Sequence, residues 1–161
     1  MSLPKLYLET TIPSYLTVRR SRDLRLAAHQ EVTEEWWSDH RHEYDLYISD
    51  LVLDEAGDGD AEFASSRIAS LAGIPILDVT EEVDELAGRL LAGGLIPAKA
   101  AQDAFHVAVS AVHGMDFLLT WNCAHINNVN IIRRMERICA EAGFACPVIC
   151  SPDDLLPSSA T

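Results

Sequence analysis

Short apolar runs alternate along this chain with longer segments in which apolar side chains recur every three or four positions. Five runs read as buried strands: Lys5-Leu6-Tyr7-Leu8, Leu46-Tyr47-Ile48-Ser49, Ile74-Pro75-Ile76-Leu77, Phe117-Leu118-Leu119-Thr120 and Val148-Ile149-Cys150. Between them the spacing predicts helices. Pro13 permits a short helical turn through Tyr15 and Leu16, since proline suits a first helical position. Ser21 can cap a long helix to about Glu43, with Leu24, Ala28, Val32 and Trp36 at helical spacing. A helical stretch with Val52, Leu53 and Glu55 leaves the second strand, breaks at Gly57-Asp58-Gly59-Asp60 and resumes to about Leu71. Thr80 caps a helix that Gly93-Gly94 ends. The most apolar helix covers about 98–113 and closes at Gly114. Another covers about 130–142, and residues 151–156 make a closing turn.

Helices alternating with short apolar strands imply an α/β fold whose parallel sheet is covered on both faces. In such sheets ligands bind beyond the carboxyl ends of the strands, where the strand order reverses. Glu9 and Asn122 fall at two of those ends.

The length of 161 residues fits one domain over 1–156, with Pro157 to Thr161 as a frayed tail. No apolar run is long enough to span a bilayer, and the start lacks the pattern of a signal peptide. A soluble cytoplasmic protein without membrane contact is expected. Cys123, Cys139, Cys146 and Cys150 lack the paired spacing of a zinc site and read as reduced thiols.

The net charge of −13 is uneven: residues 1–44 carry six basic and seven acidic side chains, and the rest six and eighteen. That argues against broad, non-specific nucleic-acid affinity. It leaves room for a metal-dependent nuclease, because bound cations cancel the local field. One basic patch exists, Arg19, Arg20, Arg22 and Arg25, which reads as a backbone-holding patch or as a solvated helix start.

Asp103 is the sharpest chemical signal. Its helix is apolar nearly all round, so it should be buried. A narrow polar stripe interrupts it: Lys99, Asp103, His106 and Ser110. The stripe is either an Asp103–Lys99 ion pair on a thin wet face or a metal-facing carboxylate near the helix start. Glu9 follows a strand and precedes two threonines, either of which can hold its carboxylate as outer groups of metal sites do. Glu55 and Asn122 gain weight from the joint arrangement. Carboxylates beside a core are costly unless paired or metal-bound, and no surplus of Lys or Arg lies nearby. His106 could touch substrate or be a satisfied structural histidine, and His125 lies on the expected rim. Trp36 reads as core, while an exposed Trp37 would mark a dimer or partner surface. His29, His40 and His42 have no convincing metal partners.

YLETTIPSYL (7–16), ISDLVLDE (48–55), QDAFHVAVSAVHGMDFLLTWN (102–122) and the CPVICSPDDLL ending together resemble the PIN-domain family, closest to the VapC-type toxins of toxin–antitoxin pairs. The resemblance implies a three-layer α/β/α sandwich with a central parallel sheet, and a Mg²⁺- or Mn²⁺-dependent ribonuclease. It places the acids of the site on Glu9, Glu55 and Asp103 and the fourth position on Asn122, with Thr120 as the preceding hydroxyl and Thr10 in support. Glu9, Asp103 and Asn122 are the expected metal ligands, and Arg19, Arg20, His106 and His125 the expected substrate contacts. Two positions depart from the family pattern. Glu9 stands where aspartate is usual, and Asn122 removes a charge, which should weaken a second metal. The implied partners are RNA and an antitoxin whose helix lies in a groove, with a homodimer as a further expectation.

A second reading keeps the PIN fold as a binding module without nuclease activity. It is motivated by Glu9, Asn122 and the acidic charge. A phosphotransfer receiver is a third, disfavoured because no strand ends in the expected Asp with a downstream strand-end Lys.

Overall fold

The computed structural model describes residues 2–157. Strands β1 (Lys5–Leu8), β2 (Asp45–Ser49), β3 (Ile76–Leu77), β4 (Phe117–Leu119) and β5 (Val148–Cys150) form one sheet in the order β3-β2-β1-β4-β5. Every neighbouring pair is parallel, with Tyr7 opposite Tyr47 on one side and Leu118 on the other. The helices are α1 (Thr11–Thr17), α2 (Leu24–Asp39), α3 (Asp50–Ala56), α4 (Ala61–Ser70), α5 (Glu81–Ala92), α6 (Ala101–Val112), α7 (Val129–Glu141) and α8 (Pro152–Leu155). Among the described residues no helix is long and apolar enough to cross a membrane.

The chain steps outward from β1 through β2 to β3, then returns to the other side of β1 for β4 and β5. Right-handed crossovers place α1 to α4 on one face and α5 to α7 on the other, and the closing α8 returns to pack on α2. Packing agrees: α1 lies on α2 and α4, and α5 on α6 and α7. The result is the expected three-layer α/β/α sandwich. Its core is the sheet centre, Leu6, Tyr7, Leu8, Leu118 and Leu119, closed by Ile12 and Trp36 and by Leu86, Leu90 and Val107. The strand order reverses between β1 and β4. The crevice beyond their carboxyl ends is where such a fold can take a ligand.

Local chemistry sets the helix ends. Thr80 caps α5 by accepting from the Val83 N–H, as expected. Gly93 ends it, and Gly94 takes a positive φ of 73°, where a side chain would be strained. Residues 151–156 form more than a turn: Ser151 and Asp154 make a capping box for α8.

Several expectations need correction. Asp23, not Ser21, caps α2, its carboxylate accepting from Leu26, while the Ser21 hydroxyl accepts from Asp23. That helix ends at Asp39, and Arg41–Glu43 is a separate 3-10 turn. Its inner face is Gln30, Thr33 and Trp36 rather than the stripe from Leu24, because Leu24 is 86% exposed and Ala28 is exposed too. Pro13 is the third residue of α1, still inside the first turn where no intrahelical N–H is needed. The segment 98–113 begins as a 3-10 turn over Ala98–Ala100 before α6. Trp36 is core, but Trp37 is only half-exposed, with the Arg41 guanidinium 3.9 Å above its ring. The tail expected from Pro157 lies, after that exposed proline, outside the described residues.

Candidate active site

The ends of β1, β4 and α3 and the start of α6 carry the predicted polar residues. β1 delivers Glu9, which is 4% exposed and continues the ladder by donating its N–H to Leu119 O at 3.1 Å. Its Oε1 accepts three hydrogen bonds: from Thr11 N (3.1 Å), Thr11 Oγ1 (2.5 Å) and Thr120 Oγ1 (2.7 Å). Its Oε2 makes none among the described residues and is not sealed from solvent. A nearly buried carboxylate is thus held by one oxygen, and the other carries no hydrogen bond among the described residues.

Thr120 extends β4 and is fully buried. Its hydroxyl also accepts from Asn122 N at 2.8 Å, which fixes the turn that follows. Asn122 Oδ1 accepts from His125 N at 3.0 Å, so the amide oxygen helps hold the loop. His125 Nδ1 in turn meets Asp103 Oδ2 at 2.9 Å. Asp103 sits in the first turn of α6. Lys99 is exposed and makes no ion pair among the described residues, so the alternative of an Asp103–Lys99 pair is not what holds this stripe; His106 and Ser110 are fully buried.

Glu55, on α3, is held by a deeper network. Its Oε1 accepts from Thr10 Oγ1 at 2.6 Å and meets His106 Nε2 at 2.6 Å. The other imidazole nitrogen lies 2.7 Å from Tyr7 Oη, which lies 2.7 Å from Ser49 Oγ. The two threonines after Glu9 therefore divide: Thr11 serves Glu9 and Thr10 serves Glu55.

These contacts decide the charges. Burial alone would raise the Glu55 carboxyl, but the hydrogen bond and charge of His106, and then Thr10, hold it below its ordinary range. Burial alone would lower His106. The Glu55 hydrogen bond and the charges of Glu9, Glu55 and Asp103 outweigh that and raise it. All three acids thus act on one buried imidazole. Tyr7 is pushed far up, first by burial and then by Glu9 and Glu55 (the Ser49 bond opposes this), so its phenol keeps its proton.

His106 has no exposed surface, so it cannot touch a substrate as the sequence suggested; its place is beneath Glu55. His125 keeps a rim position, 31% exposed at the side chain. Arg19 and Arg20 are exposed, and Arg20 is engaged with Glu34 at 2.7 Å and with Ala27 O. Sequence reasoning missed Tyr7 and Ser49, which support His106. The available signal was a histidine three residues after Asp103 in an otherwise apolar helix. A cleft of about 510 Å³ between Arg41–Tyr47 and Gly73–Pro75 lies at the opposite, amino end of β2 and contains none of these acids.

The donor chemistry fits a hard divalent cation: carboxylate and amide oxygens, with the Glu9 Oε2 free. The fit is incomplete as the side chains stand. Among the described residues no three Asp, Glu, His or Cys side chains converge enough to enclose a metal. Glu55 and Asp103 are each drawn to a histidine instead of toward one another.

The architecture is that of a PIN-like α/β/α sandwich. A chain in the crystal structure of VapBC2 from Rickettsia felis, bound to a DNA fragment from its promoter, superposes with a TM-score of 0.54. The two are 17% identical, and the match covers 91% of this chain and 97% of that one, a likeness of fold alone. No family model and no curated protein matches the sequence.

Proposed function

We propose that the chain is a metal-dependent endoribonuclease and the toxin half of a toxin–antitoxin pair. The observation that carries this reading is the Glu9 carboxylate, fixed through one oxygen by Thr11 and Thr120 at the reversal point of the sheet, its other oxygen without a hydrogen bond among the described residues. A buried acid so restrained is built to hold something positive. The fold shared with a chain from a VapBC2 assembly supports a protein partner of the antitoxin kind.

Glu9 and Asp103 are the residues to hold Mg²⁺ or Mn²⁺, with Asn122 adding a neutral oxygen or positioning a water. A bound ion would polarise a phosphoryl oxygen and activate an attacking water. With an ion bound there, Glu55, kept ionised by His106, would orient the attacking water and accept its proton, while the ester oxygen that leaves phosphorus would take a proton from solvent. The neutral Asn122, which removes a charge from the fourth position, favours one ion over two.

Asp103→Ala should lower Mg²⁺-dependent RNA cleavage by at least about 10²-fold, the usual scale for losing an electrostatic group in a catalytic site. Unchanged cleavage in that variant rejects the assignment. The second reading, a PIN-fold binding module without nuclease activity, is favoured by the engagement of both Glu55 and Asp103 with histidines. Calorimetry separates the two: no heat from millimolar Mg²⁺ or Mn²⁺ selects the module.

A further inference from the structure

Beside the acids stands a group of aromatic and basic residues that the proposed hydrolysis does not use. Trp121, between Thr120 and Asn122, is stacked with two other rings. His29 of α2 lies 4.1 Å from it at 13°, and Tyr15 of α1 lies 6.0 Å away at 11°. All three side chains are partly exposed, so the stack belongs to the surface rather than the core. It is firmly tied to the site. The Trp121 N–H donates to Thr11 Oγ1 at 2.9 Å, the same hydroxyl that donates to Glu9. The indole Nε1 donates to Thr33 Oγ1 at 2.8 Å.

The arginine corner is tied to the same face of α2. Gln30 is 1% exposed. Its Nε2 donates to Arg19 O at 3.1 Å, and its Oε1 accepts from Ser21 N at 2.8 Å. A buried amide thus fastens the α1–α2 connection next to His29. Arg20 is spent on Glu34, whereas Arg19, Arg22 and Arg25 are exposed and make no ion pair among the described residues. In a chain of net charge −13, three arginines that make no ion pair among the described residues, carried by the connection and first turn of the helix that also bears His29, have a specific complement. That complement is a polyanion that also carries flat rings.

We propose that Tyr15, Trp121 and His29, with Arg19, Arg22 and Arg25, form an entry ledge for single-stranded RNA, on which a base stacks and the adjoining phosphates meet the guanidinium groups. The ledge rests on the ribonuclease reading and adds to it where the strand approaches Glu9. Stacking on aromatic side chains is tolerant of sequence, because every base has a π-face. Arginine supplies the phosphate contact that positions the strand.

The test is fluorescence anisotropy of a labelled oligoadenylate, with Mg²⁺ present, on the Asp103→Asn protein so that the strand stays intact. Tyr15→Ala should weaken binding roughly five- to a hundred-fold, and Tyr15→Phe should restore it. Arg19→Ala, Arg22→Ala and Arg25→Ala, at exposed positions that folding does not need, should each flatten the slope of log affinity against log salt by about 0.7. Binding equal to the parent in Tyr15→Ala, or an unchanged salt slope in the arginine variants, overturns the ledge and leaves the ribonuclease reading standing. No binding by the parent protein overturns both.

Discussion

Two carboxylate–histidine pairs flank the crevice, and they are built differently. Glu55 and His106 meet at 2.6 Å with the imidazole wholly buried and its second nitrogen backed by Tyr7 and Ser49. Asp103 and His125 meet at 2.9 Å, with the imidazole 31% exposed and no further partner for its ring among the described residues. The first pair is locked from below, whereas the second is a surface contact that can open. An enclosed ion pair is expensive to break by halves, because the surviving member is stranded in a poor solvent. The second pair, with side chains 31% and 16% exposed, is screened through its imidazole and loses less. Glu55 is therefore held in position and charge by a buried partner, while the partner of Asp103 reaches the surface.

The largest effect should come from the locked pair. His106→Ala removes the partner of Glu55 and leaves the Tyr7 hydroxyl short of a contact inside the core. The expected loss is about 3 kcal/mol, at the low end for breaking a buried pair because Glu55 itself keeps some exposure. Urea unfolding followed by circular dichroism reads this directly. A loss below about 1 kcal/mol would mean that the buried network does not stabilise the fold and that the contrast between the pairs is wrong.

The pH dependence sharpens the same point. His106 is raised in the folded state, so its contribution is complete below its ordinary value near 6.5 and is lost as pH rises through the folded value. Glu55 is lowered, so its contribution is complete above its ordinary value near 4.3 and is lost as pH falls through the folded one. The pair therefore stabilises most between about pH 4.3 and 6.5. In EDTA the urea midpoint of the native chain should decline above about pH 6.5 relative to His106→Gln. Parallel curves for the two proteins would show that His106 carries no charge to lose.

The contrast also explains what was legible in the sequence. The sheet was readable because its strands are short, apolar and bounded by turn residues, and the caps at Thr80 and Gly93-Gly94 are local features. Glu9, Asp103 and Asn122 stood out because each interrupts or ends an apolar run. The inner face of α2 was not readable. Gln30 and Thr33 are polar yet buried; Thr33 donates to His29 O within the helix, but Arg19, Ser21 and Trp121, which complete the set of partners, lie outside it. A hydropathy period cannot register a residue buried through its hydrogen bonds. His106 was visible as an anomaly, but its role was not, because Tyr7 and Glu55 reach it from β1 and α3. The division of Thr10 and Thr11 between two acids likewise depends on how α1 leaves the strand.

The smallest expected effect belongs to the open pair, and its sign is informative. His125→Ala removes a partly exposed partner, so stability should change by no more than about 1 kcal/mol. The same substitution frees the Asp103 carboxylate. If His125 only competes with a cation for that oxygen, Mg²⁺ should bind up to about fivefold more tightly in the variant, the ceiling set by a surface pair worth about 1 kcal/mol. Calorimetric titration of both proteins with Mg²⁺ measures this. Weaker binding in His125→Ala would reverse the argument. It would mean that the imidazole holds Asp103 in the orientation a metal needs, as histidine–carboxylate contacts do around many metal sites. The open pair would then be part of the binding site rather than a rival to it.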